Sequence, residues 1–153
     1  MKGVKDYIKA MKIITQLHKN YKKMKRSEVL KQHSKYINLI RKSAYKGNIE
    51  AKFELGLNYE DQNYFIPNPM YNLQKRFYWY SKAASKNHPE ACNNLASLYE
   101  KGEGTKVNIK KALFFYEKSF KLGCSYAKKN YRLLKSQLSL VKHQSTIKIY
   151  KTK

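Results

Sequence analysis

An internal repeat constrains the fold of this chain more than any other feature of its sequence. When the chain is displaced by 40 residues, segment 41–60 aligns with segment 81–100 and shares the pattern K-x-A-x-K-x3-E-A-x3-L-x3-Y-E. Displacement by 36 residues aligns segment 72–87 with segment 108–123 through the pattern N-x2-K-x3-[WF]-Y-x-K. The two offsets differ by four residues, which segment 63–70 can hold as a loop insertion. A period of about 40 residues predicts a solenoid of helix pairs.

Each unit of the repeat is predicted to contain two helices, a first helix A and a second helix B. In the more regular unit, helix A covers about residues 88–101 and helix B about residues 109–122. Pro89 suits the first turn of helix A, where no N–H partner is needed, and Asn108 suits the N-cap of helix B, as Asn72 does one unit earlier. Glycines are expected to end the two helices, namely Gly102, Gly104 and Gly123.

The apolar and small residues of helix A indicate which face packs inward. Ala91, Leu95 and Tyr99 follow one another at intervals of four and therefore lie on one helical face. Gly56 and Ala96 occupy equivalent positions in the two units, and their small size would let a neighbouring helix approach closely. The sequence therefore predicts a tightly packed helical interior that repeats from unit to unit.

These spacings resemble the Sel-one-like repeat, a relative of the tetratricopeptide repeat. The shared pattern is A-x3-L-[GA]-x2-Y-E, then G-x-G-x3-N-x2-K-A, then [FW]-Y-x-K-[AS]. The second unit carries it in full, at Ala91, Leu95, Ala96, Tyr99, Gly102, Gly104, Asn108, Lys111, Ala112, Phe115, Tyr116 and Lys118. The first unit lacks the G-x-G loop and has Pro67 and Pro69 instead. The resemblance implies an all-α, right-handed α/α solenoid, and members of this family serve as adaptors in protein complexes.

The extent of the resemblance divides the chain into three segments. Residues 1–33 are predicted to form a basic helical segment, which is a degenerate first unit. Residues 34–140 are predicted to form the solenoid, with full repeats at 44–79 and 84–119 followed by a terminal capping helix. Residues 141–153 are predicted to form a loose basic tail.

The N-terminal segment has the pattern of a basic amphipathic helix. Val4, Ile8, Met11 and Ile14 fall on one face, and lysines fall on another. Such a helix can bind an anionic membrane or a partner groove, or it can cover the end of a solenoid. Packing on the solenoid is favoured, because the first helix pair would otherwise expose its apolar side.

The chain carries a net charge of +23, and this charge is concentrated at both ends. Segments 1–46 and 105–153 each have a net charge of +12, whereas segment 47–104 has a net charge of −1. This distribution suggests an acidic partner, although an AT-rich coding sequence would also enrich lysine. Lysine supplies 29 of the 33 basic residues, and it is weaker than arginine at bidentate recognition of phosphate or guanine. At most, weak and non-specific contact with nucleic acid is expected from charge.

An aromatic run at residues 77–80 could stack on nucleic-acid bases, since Lys75 and Arg76 precede it. A similar run recurs at residues 113–116, one repeat later. Recurrence at the repeat period favours packing between helices over base stacking.

Catalytic and metal-binding patterns are absent from the sequence. It contains no G-x-S-x-G, no glycine-rich phosphate loop and no H-E-x-x-H. His88 and Cys92 share a helical face but lack a third ligand at a suitable spacing, so a surface His88 and a buried Cys92 are expected instead. We predict that the protein is not an enzyme and has no catalytic residues, no metal site and no cofactor.

An intracellular, soluble and cytoplasmic monomer is expected. The longest apolar run, Ala112–Tyr116, is far shorter than the roughly 20 residues of a membrane-spanning helix. Cys92 and Cys124 are the two cysteines of the chain, and they do not form a disulfide framework. The disulfide-bearing branch of the family would also require a cysteine at the place of Ala84.

The resemblance selects the helix A residues that would face a binding groove. In the first unit these are Glu50, Phe53, Leu57 and Glu60, and in the second they are Glu90, Asn93, Ser97 and Glu100. Asn93 could bind the backbone of a partner peptide, while Phe53 could hold an apolar side chain. The four glutamates would make the groove suit a basic or neutral peptide. Alternatively, Glu50 and Glu90 only complement the N-termini of their helices.

The predicted function is a non-catalytic protein–protein interaction adaptor or scaffold. The alternative is a lysine-driven binder of nucleic acid or of an anionic surface, with a steep dependence on salt.

Overall fold

The structure, a computed structural model, describes residues 3–60 and 71–151, and the side chains of these residues up to Leu140. The chain forms seven α-helices and one 3-10 turn within these ranges, and no strand. The helices are α1 (Val4–Asn20), α2 (Arg26–Tyr45), α3 (Ile49–Asn58), α4 (Leu73–Ala84), α5 (Pro89–Lys101), α6 (Ile109–Lys121) and α7 (Ala127–Lys151). The predicted all-α class is confirmed, while the insertion predicted at 63–70 lies outside the described residues.

Each helix packs against the next one along the chain, which is the arrangement of an α/α solenoid. The pairs α3–α4 and α5–α6 are the two repeats. Helices α5 and α6 agree with the predicted ranges 88–101 and 109–122 to within one residue. The sequence therefore predicts both the order and the bounds of the helices in the second repeat.

Asparagine side chains cap three of the helices, and the sequence predicts two of these caps, Asn72 and Asn108. Asn48, Asn72 and Asn108 precede α3, α4 and α6, and each Oδ1 accepts a hydrogen bond from the N–H three residues later, at 2.8, 2.8 and 2.9 Å. Pro89 occupies the first turn of α5. Each cap satisfies an N–H group that the helix itself leaves unpaired.

Two glycines are required by close contacts between helices and loops. A Cβ atom added to Gly56 of α3 would lie 2.2 Å from Cε1 of Tyr80 in α4, so only glycine fits beneath this buried ring. Gly104 has φ +70°, and a Cβ atom there would lie 2.2 Å from the carbonyl oxygen of Leu73. The predicted close approach at Gly56 is confirmed.

Helix α1 packs on α2 and extends the core toward the N-terminus. Met11 and Ile14 pack against a buried cluster that contains Ala10, Ile37 and Ile40. This packing agrees with a helix that covers the end of the solenoid. Ile8, which was expected on the same inward face, is 49% exposed.

Helix α7 packs its inner face on α6 and continues to the end of the described chain. Ala127 and Leu134 are buried in this contact, and Tyr131 and Leu138 are partly buried beside them. The helix runs to Lys151 and so includes residues 141–151, for which the sequence predicts a loose tail.

Candidate functional site

A concave pocket of about 360 Å³ opens where the second repeat meets α7. Helices α4, α5, α6 and α7 and the end of the first helix A contribute its walls. The lining residues are Glu60, Arg76, Asn93, Asn94, Ser97, Glu100, Lys101, Tyr116, Asn130 and Leu133. Four of the eight groove residues selected from the sequence lie in this pocket, namely Glu60, Asn93, Ser97 and Glu100.

Asparagine amides connect α5 to α7 at the floor of the pocket. Asn130 Nδ2 donates a hydrogen bond of 2.8 Å to Asn93 Oδ1, and Asn93 Nδ2 donates one of 3.3 Å to Asn94 Oδ1. Asn93 is only 7% exposed, so its orientation is fixed by these partners. Because an amide group carries two donors and one acceptor oxygen with two lone pairs, such a chain can also pair with a peptide backbone.

The two carboxylates in the pocket are hydrogen-bonded to tyrosines of helix B. Tyr116 donates 2.7 Å to Glu100 Oε2, and Tyr80 donates to Glu60 Oε1 one repeat earlier. Burial raises the pKa of both tyrosines, and the adjacent carboxylates raise it further, so their hydroxyl groups stay protonated as donors. The motif Y-E in helix A and the motif [FW]-Y in helix B therefore recur together, because the glutamate of the first binds the tyrosine of the second in each repeat.

Basic residues compensate the charge of these carboxylates. Arg76 Nη2 lies 3.2 Å from Glu60 Oε1, while Arg76 Nη1 lies 2.9 Å from Glu103 Oε2. Lys101 also lines the pocket. With Glu60 and Glu100 against Arg76 and Lys101, the lining is polar and carries no net charge, so it is less acidic than the glutamates alone suggest.

The other glutamates selected from the sequence, Glu50 and Glu90, lie outside the pocket and flank His88. Glu50 Oε2 is 3.2 Å from His88 Nε2, and Glu90 Oε2 is 3.4 Å from His88 Nδ1. His88 Nδ1 also accepts a hydrogen bond of 3.2 Å from the N–H of Ala91, which makes His88 the N-cap of α5. A ring with its proton on Nε2 satisfies this cap and donates to Glu50.

His88 is 6% exposed, so the prediction of a surface histidine is wrong. The reason lies in the tertiary packing around the ring. The ring is enclosed between the N-terminus of α5 and Phe53 of α3, with which it stacks at a centroid distance of 4.3 Å. Phe53 also lies 5.8 Å from the ring of Tyr80, and Leu57 packs against the same core. Phe53 and Leu57 therefore contribute to packing between the repeats.

A second groove, of about 560 Å³, follows the outer side of α7. Its lining residues are Ser125, Lys128, Lys129, Arg132, Leu133 and Ser136. Leu133 lines both concave spaces and is 54% exposed, so the groove continues from the pocket.

The residues that helix B and α7 contribute to the pocket are not among those selected from the sequence, because the resemblance points only to helix A positions of the two full units. One signal was available. Displacement of the second-unit positions by 36 residues selects Leu133 in the pocket and Lys129 and Ser136 in the second groove, as well as Tyr126 before α7, but it does not select Asn130. Arg76 and Tyr116 lie on helix B, and only their packing against the preceding helix A brings them to the site.

The described residues also define what else lies near the site. Among them, no three His, Cys, Asp or Glu side chains come together as a metal site. None of their helices has the length and apolar character needed to cross a bilayer. Cys92 and Cys124 are buried free thiols, and burial raises the pKa of Cys92.

The model of a known protein family matches both helix pairs of the chain. The Sel1 repeat model matches residues 49–88 and 89–124. The matched repeats contain α3–α4 and α5–α6, and each starts five residues later than the repeats defined from the sequence. No curated protein matches the chain in a sequence search.

Solved structures with the same fold were also found. A Sel1 repeat protein from Oxalobacter formigenes is 33% identical with a TM-score of 0.56, over 64% of this chain and 39% of that protein. Helicobacter pylori cysteine rich protein B is 27% identical with a TM-score of 0.56, over 63% and 70%. A protective antigen of uropathogenic Escherichia coli with an SLR fold is 28% identical with a TM-score of 0.51, over 58% and 18%. The match spans well under half the length of the Oxalobacter protein.

Proposed function

We propose that this chain, which belongs to the Sel1-repeat family, is a non-catalytic scaffold that binds a segment of another protein in the pocket between α5 and α7. The observation that carries this proposal is the chain of hydrogen-bonded amides at the pocket floor, Asn130 to Asn93 to Asn94, of which Asn93 is buried and the other two are partly exposed. Amides held in this way offer fixed donors and acceptors to an extended peptide without a charge of their own. Ser97, Glu60 and Glu100 would contact the same segment from the pocket walls.

The surroundings of the carboxylates support a binding role without catalysis. Glu60 and Glu100 accept hydrogen bonds from Tyr80 and Tyr116, and Glu60 also pairs with Arg76. A general base would instead need a carboxylate that is poised to take a proton from a substrate. The groove residues Glu50, Phe53, Leu57 and Glu90 would act indirectly, because they fix the position of one repeat on the next.

A matched pair of charge reversals tests this proposal. Lys101 lines the pocket and is exposed, whereas Lys110 is exposed on helix B and does not line it. We expect Lys101→Glu to weaken capture of the partner from a lysate of the source cell about tenfold, since it leaves the lining with uncompensated carboxylates, and a neutral segment would have to displace the water that these charges hold. Lys110→Glu changes the net charge equally and should leave capture unchanged. Equal effects of the two variants would contradict a specific pocket.

A second candidate function is contact with nucleic acid through helix B. Tyr78 and Phe114 occupy equivalent positions and are 49% and 59% exposed. Each precedes a lysine by four residues, and Lys82 Nζ lies 5.2 Å from the centroid of the Tyr78 ring. Exposed rings beside lysines can stack on bases. Nuclease treatment of the captured material distinguishes this candidate, since a protein partner bound in the pocket would remain.

An intracellular, monomeric state is part of the proposal. The buried free thiols of Cys92 and Cys124 suit a reducing compartment. Both ends of the chain are basic and would repel each other in an end-to-end dimer. Light scattering at low and high salt tests the second point, and dimers at physiological salt would contradict it.

A further inference from the structure

We infer that the outer groove of α7 binds an acidic stretch of the partner segment, with an apolar side chain of that stretch on Leu133. This basic groove is defined by Ser125, Lys128, Lys129, Arg132, Leu133 and Ser136. The inference rests on the proposed function, because it names the chemistry of the segment that leaves the pocket at Leu133.

The basic groove is one continuous face of a helix. Its residues follow one another at intervals of one or three, so they form a single stripe along α7 from just before its first turn. The opposite face holds Ala127 and Leu134 in the contact with α6. The groove is therefore a stable surface, because the packed side of the helix fixes the exposed side.

The basic groove continues the binding positions of the second repeat with a different charge. Displacement by 36 residues relates Asn93 to Lys129, Ser97 to Leu133 and Glu100 to Ser136. At these equivalent positions, the neutral amide of Asn93 is replaced by the cation of Lys129, and the carboxylate of Glu100 is replaced by the hydroxyl group of Ser136. A segment that runs from the pocket onto α7 thus passes from a surface without net charge onto a positive one.

The basic groove is not suited to pack another helix of the same repeat. Lys128 and Arg132 are equivalent to Cys92 and Ala96 of α5, which are both 0% exposed in contacts between helices. Small residues at these positions allow a helix to approach, whereas lysine and arginine would bury uncompensated charge there. A ligand with its own negative charges fits this face better than a further apolar helix does.

No acidic side chain neutralises the basic groove within the described residues. Lys128, Lys129 and Arg132 form no ion pair with any of them, and Lys128 Nζ lies 5.0 Å from the ring centroid of Phe120. Glu117 is the last acidic residue of the sequence, and it pairs with Lys121 at 2.7 Å. The positive charges of the groove therefore face solvent, and their potential attracts an acidic partner.

The lining chemistry favours a protein segment over nucleic acid. None of the six groove residues is aromatic, so the groove offers no ring for base stacking, and Arg132 is its single guanidinium group. Leu133 presents an exposed apolar surface within the stripe, next to Arg132. An acidic peptide with an interspersed leucine or a similar residue matches both the charge and the apolar contact.

The test is a binding measurement with the full chain and a defined probe. The probe is a fluorescein-labelled peptide of about twelve residues that repeats Glu-Glu-Leu, and the comparison probes are a Gln-Gln-Leu peptide and single-stranded DNA of the same length. The double variant Lys129→Glu, Arg132→Glu is compared with Lys106→Glu, Lys110→Glu. All four positions are exposed, and the net charge changes equally. Circular dichroism checks that each variant is folded. The double variant Lys129→Gln, Arg132→Gln removes the two positive charges without adding negative ones.

We expect fluorescence anisotropy at physiological salt to show weakening of about tenfold for the α7 double variant and less than about twofold for the control. The single variant Leu133→Ala should also weaken binding of the Glu-Glu-Leu peptide, and it should leave binding of a Glu-Glu-Gly peptide unchanged. Equal weakening by both double variants would overturn the inference, because it would show attraction to net charge alone. Tighter binding of the DNA, with the same dependence on Lys129 and Arg132, would also overturn it.

The lysate capture separates failure of this inference from failure of the proposed function. If Lys101→Glu loses the protein partner and the α7 double variant retains it, the pocket functions as proposed and the inference is wrong. If neither variant affects capture, the proposed function fails as well.

Discussion

The hydroxyl group of Tyr116 donates a hydrogen bond of 2.7 Å to Glu100 Oε2 and so joins helix B to helix A within the second repeat. Tyr80 makes the same contact with Glu60 in the first repeat. Both tyrosines are buried, at 3% and 0% exposure, while the carboxylates reach the pocket wall. One repeated hydrogen bond thus stabilises the helix pair and fixes the orientation of an acidic group that a ligand would meet.

Removal of the Tyr116 hydroxyl group should destabilise the protein. Tyr116→Phe keeps the ring in the core but leaves Glu100 without its donor, and we expect the free energy of unfolding to fall by about 1–2 kcal/mol. Urea denaturation monitored by circular dichroism measures the change. Tyr78→Phe is the matched control, since Tyr78 is half exposed, and it should change stability by less than about 0.5 kcal/mol. Equal effects of the two variants would mean that the hydrogen bond contributes nothing.

Alkaline pH should destabilise the fold through its buried tyrosines. Burial, followed by nearby glutamates, raises the pKa of Tyr36, Tyr80 and Tyr116 in the folded protein. In the unfolded chain a tyrosine loses its proton near about pH 10, so above that pH the unfolded state binds fewer protons than the folded state. Stability is therefore fully present below about pH 10 and is lost as the pH rises further.

Comparison with Tyr116→Phe isolates this effect from the titration of lysine. Between about pH 8 and about pH 10.5, the free energy of unfolding should fall more steeply in the wild type than in the variant, because the variant has one fewer buried tyrosine. Tyrosinate absorbance gives a second measurement. Ionisation of all tyrosines in a single step with the helices intact would contradict the prediction.

Alanine at Gly56 should destabilise the first repeat, although alanine normally favours a helix. The new Cβ atom would lie 2.2 Å from Cε1 of Tyr80, whose ring is buried and whose hydroxyl group is bound to Glu60. Overpacking of this kind costs about 1–3 kcal/mol, which exceeds the gain of about 1 kcal/mol in helix propensity. We expect a lower midpoint of thermal unfolding for Gly56→Ala.

The second repeat provides the comparison for Gly56→Ala. Ala96 occupies the equivalent position there and is fully buried. Ala96→Gly should also destabilise, by about 1 kcal/mol, because glycine lowers helix propensity and no close ring requires it. An increase in the stability of Gly56→Ala would show that Tyr80 can move aside.

The N-cap of α6 gives a prediction with a built-in rescue. Asn108 Oδ1 accepts a hydrogen bond of 2.9 Å from the N–H of Lys111, and Asn108→Ala should lower the free energy of unfolding by about 1 kcal/mol. Asn108→Asp retains the acceptor and adds a negative charge at the helix N-terminus, so stability should return to the wild-type value or exceed it. Both variants can be compared by urea denaturation, and an equal loss in the two would contradict a capping role.

Local signals in the sequence were sufficient for the helices of the repeats. Asn72 and Asn108 are read as caps because the acceptor and the N–H it binds lie only three residues apart. Gly56 and Ala96 are recognised as close-contact positions because the repeat aligns them. Each of these inferences depends on residues that are neighbours in the chain or related by the period.

The candidate site was only half predictable. Asn93 and Ser97 lie in the pocket as selected, whereas Phe53 is covered by His88 at a ring distance of 4.3 Å. Asn130 reaches Asn93 from 37 residues away, on a helix whose sequence had drifted from the repeat pattern. No periodic rule gives such a contact, because it depends on how α7 sits against α5.

The sequence by itself determined that this protein is a solenoid of helix pairs. It also determined the order of the helices in the repeats and the basic character of both ends. These properties follow from period, capping and composition, which act within about one turn or one repeat of the chain. Only the tertiary structure decided which charges remain available. It pairs Glu60 with Tyr80 and Arg76, encloses His88 between Glu50 and Glu90, and leaves Lys129 and Arg132 facing solvent. The physical reason is that desolvation and Coulomb interactions depend on distances between side chains that are remote in sequence.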